Sequence, residues 1–460
     1  METVSLDLLR RYGGAGPRYT SYPTTDRFVE AFTDADQARA LAQRRGGCAI
    51  PGLPLSVSVH IPLRESLCDF CSCNKIGTRQ HGRAGSYLRY LTREVELQVA
   101  HLGAGHQVTQ LHLGGGAPTF LSDGELRELM AILRGSFTLV PGGDCSIEID
   151  PRSVDASRLG LLYELGFNRI SFGVQDFDPA VQRSVHRVHP FAQVKTQVAH
   201  ARELGFGSVN VDLIYGLPRQ TPDSFSRTLA QVELLRPDRV AVYAYAHLPE
   251  RFRARRRIVP AELPAAAARE AMLSRSLAVF GAAGYAYIGM EQFALPGDSL
   301  AVAQRLGRLH RNFHGYSTQP DGDVIGLGVS ALGRVGASYA QNAKTLQEYC
   351  DLLDAGRLPV VRGLALTRDD LVRRAVIMAL MCQGEVVYES IQGAWLLDFP
   401  CYFARELEQM AGLAAQGLVV LGPAWIQVTA QGRFLLREVA TVFDRYLQAD
   451  RNRAKFSRIL

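Results

Sequence analysis

Short apolar runs, rich in β-branched residues, recur through the first half of the chain and favour buried strands. Between them lie longer stretches in which apolar side chains return every three or four positions, the spacing of an amphipathic helix. The pattern therefore predicts a regular alternation of strand and helix. The predicted strands are 55–60, 108–113, 145–149, 169–172, 209–214 and 239–243, and the predicted helices are 87–102, 124–133, 156–165, 191–204 and 223–235.

This alternation is typical of βα units with right-handed crossovers, which close fully or partly into a (β/α) barrel with its chemistry at the carboxyl ends of the strands. After about residue 359 the strands largely stop. Helices are predicted at 367–380 and 402–413, followed by a hairpin at 417–428. The fold class is α/β, and three parts are expected: an N-terminal segment (1–50) covering the barrel mouth, a barrel domain (51–360) and a mainly helical C-terminal domain (361–460).

The order of helices and hairpin in the C-terminal part is also that of a winged helix, for which DNA binding would be the functional interpretation. A lid or packing domain is the alternative, and the lack of a dense Arg/Lys stripe favours it. The whole chain has 51 Lys and Arg against 45 Asp and Glu, a mild basic bias that suits anionic small molecules without demanding nucleic acid.

The 460 residues, 47% of them hydrophobic, are enough to fill large cores. No window reaches the roughly 20 apolar residues of a membrane span, and the N-terminus lacks the pattern of a secretory signal. We therefore expect a cytoplasmic protein. In that compartment the eight cysteines are unlikely to form disulfides, and the cluster Cys68, Cys71 and Cys73 indicates metal ligation or redox chemistry.

Two loops that follow predicted strands carry the candidate chemistry. The first reads HIPLRESLCDFCSCNK (60–75) and holds the three cysteines; the second reads GGGAPT (114–119). Glycines in such a turn let a ligand approach the backbone, so that bare N–H and C=O groups can hold it. Polar side chains follow at later strand ends, and their alternative role is to cap helices or pair with each other: Glu148, Gln175, Arg187 and Asp212.

These motifs resemble those of the oxygen-independent coproporphyrinogen III oxidases, a family of radical S-adenosylmethionine (SAM) enzymes. The resemblance covers nearly the whole chain, including GPRYTSYPT, NFHGYSTQ and GLGVSAL. It implies a barrel of the radical SAM type, a 4Fe-4S cluster held by Cys-x3-Cys-x2-Cys, and SAM bound to the open iron. The implied reaction is the oxidative decarboxylation of coproporphyrinogen III to protoporphyrinogen IX in haem biosynthesis, with an electron donor such as flavodoxin or ferredoxin. Nothing in the sequence argues against a monomer.

This sequence departs from the family pattern at three positions. Arg64 stands where the first cysteine belongs, and a guanidinium has no lone pair to offer a metal. Ser58 replaces a tyrosine, and Ala117 replaces a hydroxyl residue. Cys68 and Cys71 match the second and third ligands, while Cys73, at a different spacing, is either a substitute ligand or the extra cysteine that the family often carries.

The resemblance also implies two SAM molecules side by side. The residues carried over to the first are Ser58, Gly115, Glu148 and Leu332; those carried over to the second are Phe70, Gly116, Ala117, Gln175, Arg187, Asp212 and Ala246.

Substrate carboxylates call for arginines. Arg311 is a candidate contact, whereas the run RFRARRR (251–257) is interpreted as a solvated surface face. The pattern GLG at 326–328 is too weak for a dinucleotide site, and the separated His60, His112 and His310 predict no zinc site. No catalytic residue is assigned. Three functions stay open: an active oxidase, which we favour, a non-catalytic porphyrin- or haem-binding relative, and a regulator that binds nucleic acid.

Overall fold

The computed structural model describes residues 16–46, 55–71 and 73–449, together with Leu8 and Arg11. Its centre is a twelve-stranded mixed sheet. The strands of this sheet, in chain order, are β1 (Leu55–Ile61), β2 (Gln107–Gly115), β3 (Thr138–Ile149), β4 (Arg169–Gln175), β5 (Ser208–Tyr215), β6 (Arg239–Ala244), β7 (Ala286–Gly289), β8 (Gln292–Ala294), β9 (Asp323–Leu327), β10 (Leu332–Val335), β11 (Ser338–Asn342) and β12 (Val360–Ala365).

Seven neighbouring strands run parallel, in the order β9, β1, β2, β3, β4, β5, β6. Antiparallel β8 and β7 extend one edge, and antiparallel β10, β11 and β12 extend the other. All six predicted strands are thus confirmed, and they pair in chain order. The two outermost strands of the described sheet, β12 and β7, do not pair with each other, so the barrel is partial.

Helices fill the connections, and each of the seven predicted helices is confirmed to within a few residues. The bounds are α1 (Asp34–Arg45), α2 (Gly82–Leu102), α3 (Asp123–Ser136), α4 (Ala156–Glu164), α5 (Pro179–Ser184), α6 (Phe191–Leu204), α7 (Pro222–Leu235), α8 (Ala266–Ala282), α9 (Ser299–Arg305), α10 (Leu346–Asp354), α11 (Arg368–Gln383), α12 (Tyr388–Trp395), α13 (Phe399–Tyr402), α14 (Ala404–Ala415), α15 (Leu436–Thr441) and α16 (Arg445–Ala449).

Local sequence explains where these helices begin. Ser122 accepts a hydrogen bond from the Glu125 amide, and the Glu125 carboxylate accepts one from the Ser122 amide, so that α3 starts with a capping box. The helices cover the sheet with apolar faces, and Phe225 of α7, for example, is fully buried. Side chains such as Val57 and Leu111, paired in register on β1 and β2, complete the core beneath them.

The terminal parts of the chain pack together. Strand β12 continues the sheet past the predicted boundary at 360, and the predicted hairpin gains a third strand, so that Glu385–Val387, Val419–Leu421 and Trp425–Val428 form a small sheet. The Tyr19 hydroxyl of the N-terminal segment donates to Asp444 at 3.0 Å, whereas residues 1–7, 9–10, 12–15 and 47–50 of that segment lie outside the described residues. No described helix combines the length and apolar character needed to cross a membrane.

Candidate cofactor site

A cavity of about 590 Å³ opens at the carboxyl ends of β2 to β6, beside the cysteine loop. The structure brings nine of the eleven predicted cofactor residues to its wall, from seven separate segments of the chain. Since the carboxyl ends of parallel strands meet at one edge, this convergence follows from the strand order. The nine residues are Phe70, Gly115, Gly116, Ala117, Glu148, Gln175, Arg187, Asp212 and Ala246.

The other two predicted residues do not line this cavity. Ser58 lies in β1, three positions before the strand ends, and pairs in register with Gly326 and His112. Leu332 begins β10, and its carbonyl packs so closely on Gly326 that a Cβ there would lie 2.3 Å from it. Ser58 and Leu332 are therefore set back from the wall along their strands, and their assignment to the first SAM molecule stays a prediction.

The glycine-rich turn is packed onto the cysteine loop. The Gly116 amide donates to the Ile61 carbonyl at 2.7 Å, and the Ala117 amide donates to the Leu63 carbonyl at 3.0 Å. A Cβ on Gly116 would lie 2.6 Å from the Pro62 carbonyl oxygen, so only glycine fits there. The expectation of bare N–H groups is thus wrong for these residues. The turn can meet a ligand through its carbonyl oxygens, which suit an ammonium donor.

Two carboxylates of the wall differ in their surroundings. Glu148 accepts from the Gly115 amide at 3.1 Å and lies 3.6 Å from His112 Nε2. Burial opposes its ionisation, but the adjacent His112 holds the pKa of Glu148 below its usual value. Burial instead raises the pKa of Asp212 to about 6, although the Ser171 hydroxyl donates to it at 2.8 Å. The wall therefore holds one firmly ionised carboxylate and one that titrates near neutrality.

The backbone conformation and the buried amide oxygen of Gln175 are independent evidence for a bound ligand. It lies at φ 70°, a left-handed conformation that costs a residue other than glycine about 1–3 kcal/mol. Its Oε1 is buried and has no hydrogen-bond partner in the described structure. An unpaired buried acceptor costs about 1–3 kcal/mol, and a hydroxyl or amine of a bound molecule would satisfy it. Gln175 therefore fits SAM, which offers both.

The position of the missing cysteine is filled by a buried ion pair. The Arg64 guanidinium donates to Asp150 at 3.0 Å, and Arg152 and Arg187 contact the same carboxylate at 2.7 Å and 3.1 Å. Burial opposes the charge of Asp150, but the three guanidiniums, with Arg187 contributing most, hold its pKa well below the usual range. Asp150 directly follows the predicted strand 145–149, a signal that sequence reasoning passed over.

The three thiols do not form a set that fits a 4Fe-4S cluster. Cys71 and Cys73 are hydrogen-bonded, with their sulfurs 2.7 Å apart, and this bond lowers the pKa of Cys71. Cys68 is fully buried, and its sulfur lies 3.4 Å from Arg187 Nη1 and 3.6 Å from Arg152 Nη2. No three Cys, His, Asp or Glu side chains in the described ranges are grouped to hold a single metal ion, and Arg64 leaves the cysteine motif one thiolate short of the three that bind a 4Fe-4S cluster. The arrangement fits SAM and not the cluster.

Two arginines have surroundings that differ from those expected from the sequence. Arg311 is buried and donates to the carbonyls of Arg18 and Tyr19, so it does not line the cavity as a carboxylate contact would. Arg255, interpreted as part of a solvated face, is buried and lines the cavity. Arg18 of the N-terminal segment also reaches the wall, and no local pattern in the sequence indicated it.

Comparison with known proteins agrees with this geometry. Residues 63–232 match the model of the radical SAM superfamily. The chain is 49% identical over 456 residues to the oxygen-independent coproporphyrinogen III oxidase of Pseudomonas aeruginosa, covering 99% of this chain and 98% of that protein. It is 46% identical over 455 residues to that of Escherichia coli K12, with the same coverage. The crystal structure of coproporphyrinogen III oxidase from Escherichia coli, a radical SAM enzyme, superposes with a TM-score of 0.91 at 45% identity, covering 97% of this chain and all of that one.

Proposed function

This chain belongs to the oxygen-independent coproporphyrinogen III oxidases of the radical SAM superfamily, a family of oxidoreductases, and we propose that it acts on coproporphyrinogen III with SAM as cofactor. The proposed reaction is the decarboxylation of two propionates to vinyls, which yields protoporphyrinogen IX in haem biosynthesis. The observation that carries the proposal is the convergence of nine cofactor residues on one cavity, in a chain alike over its whole length to named oxidases.

The wall offers a partner for each polar part of SAM. Glu148 and Asp212 accept hydrogen bonds from ribose hydroxyls or the ammonium group. The Gln175 Oε1 accepts a further one, and the carbonyls of the glycine turn face the amino acid head. Two SAM molecules are proposed, because the residues carried over from the family divide into two groups. The reductant is proposed to be of the flavodoxin or ferredoxin class, and the protein a cytoplasmic monomer.

The family implies a 4Fe-4S cluster, which supplies the electron that cleaves SAM. Because the thiols of this chain do not fit the cluster, no step of the reaction is assigned through it here. The proposed role of the chain's own residues is to bind and orient SAM. Arg187 also closes the wall, since its guanidinium donates to the Gly173 carbonyl while contacting Asp150.

The ion pair between Arg64 and Asp150 favours a second candidate, a relative that binds tetrapyrrole without performing radical chemistry. Cys68 and Cys71 keep two of the three cluster ligands of the family, and the first ligand position holds Arg64, a cation that cannot ligate iron. A chain of this kind would keep the fold and the cavity and lose the cleavage of SAM. No described feature favours the nucleic-acid regulator.

Anaerobic reconstitution with iron and sulfide separates the two candidates. The native chain, Arg64→Cys and the control Arg64→Cys/Cys68→Ser are compared by bound iron, bound sulfide and 5'-deoxyadenosine formed from SAM under strong reductant. About four irons per native chain, with SAM cleavage, would establish the oxidase. Iron and cleavage in Arg64→Cys alone would overturn it in favour of the non-catalytic relative, and the double variant should hold no cluster in either case.

A further inference from the structure

Gly114, the first glycine of the turn at 114–119, lies beside a close contact between two side chains. A Cβ at this position would lie 2.7 Å from His112 Nε2 and 3.1 Å from Glu148 Cδ and Oε1. The φ of Gly114 is not positive, so its backbone conformation does not demand glycine. Glycine is required here because any side chain would displace His112 or Glu148.

The register of two neighbouring strands brings these groups together. His112 of β2 pairs with Ser146 of β3. Gly114 and Glu148 follow two positions later on the same strands and therefore on the same face. His112 Nε2 lies 3.6 Å from Glu148 Oε1, and Nδ1 at the other edge of the ring lies 2.9 Å from Ser146 Oγ. The His112 ring thus bridges Ser146 and Glu148 across Gly114.

The Ser146 hydroxyl favours a proton on Nε2 of His112 in both charge states of the ring. In the neutral ring the hydroxyl donates to Nδ1, which leaves the ring proton on Nε2, toward the carboxylate. In the charged ring Nδ1 donates to Ser146 Oγ, and the hydroxyl proton turns to the Leu111 carbonyl at 3.4 Å. Either way, His112 directs an N–H group at Glu148.

His112 contacts Glu148 from behind the cavity wall. Glu148 lines the SAM cavity and also a second cavity of about 300 Å³ inside the sheet, whereas His112 lines only the second of these two. The ring of His314 packs on that of His112, with centroids 4.4 Å apart. Burial and the neighbouring His112 hold the pKa of His314 well below its usual value, so His314 stays neutral and does not compete for the carboxylate.

We propose that His112 is a positioning residue for SAM: through Nε2 it fixes the Glu148 carboxylate in the orientation that binds the cofactor, and Gly114 leaves the space for this contact. The inference rests on the proposed function, since Glu148 is one of the predicted contacts of SAM. Glu148 Oε2 accepts from the Gly115 amide at 3.1 Å, and His112 faces Oε1, so both oxygens are held. A carboxylate fixed in this way loses little rotamer entropy when a ligand binds.

Binding of SAM, measured by isothermal titration calorimetry under anaerobic conditions, tests this contact without requiring SAM cleavage. His112→Asn and His112→Gln are compared, because the glutamine amide nitrogen reaches the place of Nε2 and the asparagine nitrogen only that of Nδ1. His112→Asn should weaken SAM binding on the order of tenfold, the fold-change equivalent to one charge-assisted contact. His112→Gln should retain the affinity to within about threefold, because it keeps a donor facing Glu148.

Gly114→Ala disturbs the same contact while keeping the histidine. Its methyl group would displace His112 or Glu148, so it should weaken SAM binding about as much as His112→Asn does. In the double variant the two losses should not add, since both substitutions act on one contact. If His112→Asn fails to fold, unchanged SAM binding in Gly114→Ala would overturn the inference.

His106→Asn is the matched control, since His106 precedes β2 at its opposite end, and its Nε2 bonds to the Leu102 carbonyl at 2.9 Å, away from both cavities. It should change the affinity for SAM less than about twofold, and unfolding in urea checks that each variant is folded. Equal losses in His112→Asn and His112→Gln, or no loss in His112→Asn, would reject the inference alone. If the native chain binds no SAM, the proposed cofactor is rejected and the inference with it.

Discussion

Replacement of Asp150 by asparagine tests the buried ion network at the position of the missing cysteine. The carboxylate is nearly buried and accepts from Arg64 at 3.0 Å, Arg152 at 2.7 Å and Arg187 at 3.1 Å. Asparagine keeps the shape but removes the charge, so three guanidiniums would face each other without a counterion. Removal of one partner of a buried pair costs about 3–5 kcal/mol, and we expect Asp150→Asn to lower the free energy of unfolding by that amount.

Equilibrium unfolding in urea, followed by circular dichroism, provides the measurement. Asp123→Asn is the control, since Asp123 pairs with Arg158 but is 60% exposed, and a surface pair contributes less than about 1 kcal/mol. A double-mutant cycle of Asp150→Asn with Arg64→Met should show a coupling of about 0.5–3 kcal/mol. A loss below about 1 kcal/mol in Asp150→Asn, or strictly additive effects in the cycle, would refute the reasoning.

The same ion network predicts that folding stability depends on pH in a definite direction. The pKa of folded Asp150 lies below its ordinary value of 3.8, so the unfolded state takes up protons first as the pH falls. Its stabilisation is therefore complete above about pH 4 to 5 and is lost as the pH falls below 3.8 toward the folded value. Asp150→Asn should flatten this acid limb, whereas an unchanged acid limb would contradict the assignment.

Three further predictions concern the rest of the fold. Burial raises the pKa of Asp212 from 3.8 to about 6, so the folded state holds a proton that the unfolded state releases, and stability falls as the pH rises between these values. At pH 8 the free energy of unfolding of Asp212→Asn, measured in urea, should therefore be about 1–3 kcal/mol higher than that of the native chain. No gain at pH 8 would contradict the raised pKa. Phe225→Ala, on the buried face of α7, should lower the free energy of unfolding by about 3–5 kcal/mol in the same assay. A loss under about 1 kcal/mol would show that neighbouring side chains fill the space left by the ring. Ser122→Ala removes the cap of α3 and should cost about 1 kcal/mol, with Ser122→Thr as the control that keeps the hydroxyl.

Local sequence was enough to predict six of the seven parallel strands of the sheet. Each of the six apolar runs became a strand because a strand packed under helices needs closely spaced apolar residues, which can be recognised within a few positions. The strand that pairs with β1 on its other side, β9, lies more than 250 residues further along the chain. A local pattern does not show which distant segments pair, and β9 was not among the predicted strands.

The candidate site was predictable where a polar residue lies in the carboxyl-terminal half of a strand, as Glu148, Gln175 and Asp212 do. It was not predictable where side-chain reach decides the outcome. Arg311 and Arg255 are both arginines in basic or aromatic surroundings, yet the first turns to backbone carbonyls of the N-terminal segment and the second enters the cavity wall. A long side chain with several donors can reach many different hydrogen-bond partners, and only the packed structure shows which of them it contacts.

The attachment of the cysteine loop has a consequence for how this family can change over evolutionary time. The loop leaves β1, which is held on both sides by parallel neighbours and does not depend on the loop for its pairing. Substitutions between residues 64 and 73 therefore fall outside the strands of the twelve-stranded sheet, and they can change the stability, as at Arg64, without changing the topology. Redox chemistry is mutationally separable from architecture in such a scaffold, so overall identity to active enzymes is a poor guide to whether the metal ligands persist, and each family member has to be judged at this loop.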